Sequence, residues 1–134
     1  MPRLVRTLTY IYAIGLLLQG GLTLLARLVP AFDQAVPGLL MATGMIVPHS
    51  LMHIATGLLA LYAARRSLYA AWLFLLVFGA YYLALGLAGL TTQQQFGLGL
   101  QPFDHPFHIV IGTVALGAAL LHWLKLRGHH EQPA

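Results

Sequence analysis

Residues 68–90 read LYAAWLFLLVFGAYYLALGLAGL. These 23 consecutive positions carry no charge, and a helix needs about 20 apolar residues to cross a hydrocarbon core of about 30 Å. Strands of a membrane barrel would instead alternate apolar and polar side chains over about ten residues, and Leu73 to Phe78 show no alternation. The stretch therefore reads as a helix that is apolar all round, the pattern of a segment surrounded by lipid.

Three further runs of the same kind flank it, at 8–26, 47–64 and 107–126. Over the 134 residues 59% are hydrophobic and 7% charged, against about 25% charged in soluble domains. The connections are short, so residues 1–134 read as one four-span domain. The predicted fold class is all-α: an integral membrane four-helix bundle, with the lipid bilayer as its first partner. Arg3 and Arg6 precede the first span, but its apolar core exceeds the 7–15 residues usual in a signal peptide, and the span is expected to be retained.

Charge placement predicts the orientation. Arg3 and Arg6, the Arg65-Arg66 turn, and Lys125 with Arg127 fall at three span ends that share one side, leaving Arg27 alone on the other. The positive-inside rule then puts both termini in the cytoplasm. The net charge of +4 is spread over these ends, not gathered in a patch with stacking aromatics, so no nucleic-acid partner is expected. With no cysteine in the chain, disulfides, thiolate catalysis and cysteine-ligated metals are excluded.

The other informative feature occurs twice. PHSLMHIATG at 48–57 and FDHPFHIVIG at 103–112 superpose His53 on His108, Ile54 on Ile109 and Gly57 on Gly112. This predicts two similar helical hairpins with a histidine pair toward one membrane surface. On the second span His49, His53, Gly57, Ala60 and Ala64 form a stripe at steps of three and four, and on the fourth His108, Gly112, Ala115, Ala119 and His122 do the same. Small residues let helices approach closely in lipid, so these spans are expected to meet each other or the first and third spans through the stripes. Tyr12, Gly15, Gln19 and Ala26 share one face of the first span, and Gly79, Tyr82, Gly86 and Gly89 one face of the third.

In the loops, Asp104 is expected to N-cap the fourth span with Pro106 in its first turn, and Pro48 to open the second in the same way. The stretch 39–47 is too short to span, and is expected either to lie at the interface or to extend the second span beyond a proline kink. Residues 91–103 read as a polar surface loop.

The two His-x-x-x-Gly blocks, the Arg65-Arg66 turn and the run YLALGLAGL at 82–90 resemble the bacterial family catalogued as domain of unknown function 4383. The resemblance covers about residues 45–120. It implies a small four-helix protein of the bacterial inner membrane and no particular activity.

Two readings of the histidines lead, with metal, quinone or proton handling by His53 and His108 as a third. Ionisable groups within spans are costly and default to function. In the bland reading, His53 and His108 are interhelical hydrogen-bond donors and no cofactor is bound. In the other they are axial ligands to haem or a chlorophyll-type pigment, with Gly57 and Gly112 making room for the macrocycle and electron transfer as the activity. His49 and His105, beside Asp104, are weaker metal candidates, set against solvated histidines at the interface. His122 reads as interfacial, Gln19 as an interhelical donor, and His129-His130 with Glu131 as a frayed tail. Trp72, Trp123, Tyr10 and Tyr69 fit an interfacial belt. No span contains a carboxylate, and no paired-acid, Ser-His-Asp or phosphate-loop pattern occurs. A non-catalytic accessory or interaction role is expected, within a larger membrane complex or a homo-oligomer.

Overall fold

The computed structural model describes residues 1–128, all of whose regular elements are helices. They are α1 (Pro2–Leu28), α2 (Pro30–Ala35), α3 (Leu39–Thr43), α4 (Val47–Arg66), α5 (Leu68–Thr92) and α6 (Asp104–Gly128). Four of these, α1, α4, α5 and α6, are long and apolar enough to cross a membrane. Each runs past the apolar stretch that announces it, because hydrogen bonding and capping, not hydropathy, end a helix.

Arg3 and Arg6 thus lie inside α1, and Arg65 and Arg66 form the last turn of α4 instead of a loop. The turn to α5 is the single residue Ser67, whose extended backbone breaks the helix and whose hydroxyl accepts the Ala70 amide at 3.0 Å. At the opposite end α1 stops before Pro30, which cannot supply the amide that would continue it. Pro48 sits in the first turn of α4, as expected. The stretch 39–47 does not prolong α4: Gly44, at φ 60°, closes α3, and Met45 and Ile46 separate the two helices. Asp104 is not a forward cap either. It lies in the first turn of α6 and its Oδ2 accepts the Gln101 amide at 2.7 Å, fixing the preceding loop.

Packing is unequal. The most extensive contacts join α1 to α4 and α5 to α6, while α1 with α5 and α4 with α5 touch less and α1 with α6 less again. The stripes on α4 and α6 therefore face α1 and α5, not each other. A Cβ added to Gly57 would lie 2.8 Å from Leu17 Cγ and 3.1 Å from the Ala13 carbonyl, and one on Gly112 would lie 2.5 Å from the Leu83 amide nitrogen. Gly20 approaches Ser50 on α4, and Gly79 and Gly86 approach α6 at Leu116 and His105. Between the pairs lies one core of small and aromatic side chains, including Ala13, Ala60, Leu75, Phe78 and Ala115.

Side chains also join the helices. Tyr12 donates to the Ile111 carbonyl at 2.8 Å, Trp72 Nε1 to the Ala119 carbonyl at 2.9 Å, and the Thr23 and Ser50 hydroxyls lie 2.9 Å apart. At the loop end Arg27 donates from Nε to the Met45 carbonyl at 2.9 Å. Gly44 and Gly99 lie against Gln101 and Ile46, which draws the two long loops together beside the first turns of α4 and α6. Met45 and Leu100 are buried there.

Candidate functional site

The first two turns of α4 and of α6 bring four histidines to that end of the bundle. His49, His53, His105 and His108 are each at least 96% buried, so none is a solvated interface residue. His49, His53 and His108 line one chamber of about 190 Å³ together with Tyr12 and Gln19 of α1, Tyr82 of α5 and Asp104 of α6. Its remaining wall is Ile11, Gly15, Leu16, Phe107 and Ile111.

Helical geometry explains the convergence. Asp104, Phe107, His108 and Ile111 follow the i, i+3, i+4, i+7 pattern of one helix face. The close approach at Gly20 presses α1 onto α4 beside His53, whose Cβ would be 2.9 Å from a Cβ at that glycine. The His49 and His53 rings meet edge-on at 4.5 Å, and His108 meets Tyr82 edge-on at 4.9 Å. Below Tyr82 an aromatic column continues through Phe78 and Phe74, with centroids 4.2 and 5.2 Å apart.

The interhelical hydrogen bonds expected of His53 and His108 are not made. Both ring nitrogens of His53 are buried without a partner among the described residues, as is Nδ1 of His108; the ring nitrogens of His49 meet no partner at hydrogen-bond geometry either, although the Leu98 backbone lies beside that ring. Threonine, serine, tyrosine and tryptophan do the fastening instead. Gln19, expected as an interhelical donor, forms part of the chamber wall, and its backbone carbonyl accepts the Thr23 hydroxyl at 2.6 Å. A neutral imidazole carries one donor and one acceptor. Leaving such a group buried and unpaired costs about 1–3 kcal/mol, so several together around one cavity need a reason.

Other expected residues fall elsewhere. His105 is not in the chamber wall; its ring lies over Gly89, with Nδ1 unpaired. Gly57 and Gly112 do not open onto the chamber, because both are filled against neighbouring helices. His122 is buried toward the far end of α6, in a recess it shares with Trp72 and Trp123. Arg127 lies over the Trp123 ring at 3.8 Å, and Tyr69 is exposed. His129, His130 and Glu131 lie outside the described residues. Among the described residues no three His, Asp or Glu side chains are grouped as a metal site would require.

Fold and site together define a class: an all-helical bundle with four apolar, span-length helices and a histidine-walled chamber at one end. No family model, curated protein or solved structure matches this chain.

Proposed function

We propose that this chain is a multi-pass protein of the bacterial inner membrane whose histidine chamber binds a small ligand without transforming it, in an accessory role to a larger membrane assembly. The observation that carries the reading is the set of unpaired imidazole nitrogens of His53 and His108 beside a cavity. A guest with its own donors and acceptors would satisfy them. The family resemblance of the His-x-x-x-Gly blocks belongs to the same proposal.

Two similar hairpins underlie it. Gly20 meets the Ser50 carbonyl and Ile54, while Gly86 meets the His105 carbonyl and Ile109. Gly57 meets Ala13 and Leu17, while Gly112 meets Gly79 and Leu83. The residues of each set keep the same spacing, which supports a repeat of helix pairs, α1 with α4 and α5 with α6. In this correspondence Ser50, bonded to Thr23, is replaced by His105 over Gly89. The distribution of arginine and lysine supports cytoplasmic termini, with the chamber toward the outer surface.

A second reading makes His53 and His108 axial ligands of haem or a pigment, and both do line the chamber. Its volume of about 190 Å³ favours a smaller guest, since sites for drug-sized ligands span about 300–1,000 Å³. Mass spectrometry of the intact protein, gently released from its own membrane, tests the binding role. The expected result is a bound mass beyond annular lipid that is absent from His53→Leu. A bare chain in both would overturn the reading.

A further inference from the structure

We infer that the guest is a prenylated quinone or quinol whose single ring enters the chamber sideways, between α1 and α6; this rests on the binding role proposed above. The first observation is size. A chamber of about 190 Å³ is below the range for drug-sized ligands and suits one six-membered ring with small substituents.

The second is the disposition of its walls. Three aromatic side chains, Tyr12, Tyr82 and Phe107, are part of the wall, and His53 and His108 reach it from different helices, α4 and α6. A quinone presents an oxygen at each end of its ring, and each can accept a hydrogen bond; in the quinol each can also donate. Neutral imidazoles serve both states, because each carries a donor and an acceptor. Charged headgroups fit less well. No lysine or arginine lines the chamber to bind a phosphate, and the one ionisable acid in its wall, Asp104, repels anions.

The third is access. Ile11 and Phe107, which line the chamber, are also 58% and 42% exposed, and nothing lies within 4 Å of a Cβ placed on Gly15, a lining residue one turn after Ile11 on α1. Here α1 and α6 touch sparingly. A ring at this portal would leave its isoprenoid tail against apolar side chains on the bilayer face, where burial of hydrocarbon costs nothing. A water-soluble guest has no use for such a doorway.

Gly15 supplies the clean test, because a larger residue there closes the portal without entering a helix contact. The full chain in lipid nanodiscs is titrated with decylubiquinone, alongside His53→Leu, Gly15→Leu and the control Gly117→Leu, whose added Cβ also meets nothing. Saturable binding is expected, weakened about tenfold or more by the first two substitutions and unchanged by the control. An organic extract of protein taken from its own membrane should contain quinone, and much less for Gly15→Leu. Equal binding to the wild type and Gly15→Leu would overturn the inference. So would a different bound molecule, haem included, with no quinone, though the chamber would then stand as a binding site. A bare chain with no saturable binding would overturn both.

Discussion

Tyr12 and Phe78 occupy matching places on α1 and α5, and they differ by one hydroxyl. That of Tyr12 reaches across to the Ile111 carbonyl at 2.8 Å and ties α1 to α6 beside the chamber. Phe78 cannot tie α5 to α4, and the groove between those helices widens to about 410 Å³ with an almost wholly apolar wall. Interhelical hydrogen bonds in membranes contribute about 0.6–2 kcal/mol. Tyr12→Phe should therefore lower the unfolding free energy in detergent by that amount, measured by thermal or denaturant unfolding. A variant as stable as the wild type would mean that the bond does not hold the two helices.

At the level of elements, glycines decide which helix faces which. An alanine at Gly112 would push its Cβ to 2.5 Å from the Leu83 backbone nitrogen, and backbone cannot step aside. At Gly117 the same change meets nothing and gains helix propensity, about 1 kcal/mol at most. Gly112→Ala should thus lower the melting temperature and Gly117→Ala leave it unchanged or raise it; the reverse order would show that α5 and α6 do not cross here. The four long helices were legible in hydropathy alone, because an apolar run such as 68–90 has few other homes. Their ends were not, since Ser67, Pro30 and Gly44 act through local backbone geometry that hydropathy ignores. Nor were the partners of the stripes: Gly57 and Gly112 announce close packing without saying against what. Sequence spacing singled out His53 and His108, and placed Tyr12, Gly15 and Gln19 on one face of α1. Gathering them with Asp104 and Phe107 required the packing of four helices, although the i, i+3, i+4, i+7 pattern from Asp104 to Ile111 was available to be read.

Across the molecule, most of the buried polar side chains gather at one end, with Thr9 and His122 the exceptions among the described residues. Six of the seven basic residues mark the other side, while the loops tied by Arg27 and Gln101 lie beside the histidines. A bundle selected for stability alone would fill that end with leucine, because unpaired buried polar groups weaken a fold and are retained where function needs them. A binding role for the chamber requires that those nitrogens are left unpaired by the protein itself. Its most direct test is the unfolding free energy of His53→Leu against wild type, both delipidated and stripped of small molecules in the same detergent. The leucine variant is expected to be more stable, by about 1–3 kcal/mol, as an apolar side chain replaces a buried imidazole with no partner. A loss of about 1 kcal/mol or more would contradict it, showing that His53 fastens the bundle and that the chamber is packing, not a site.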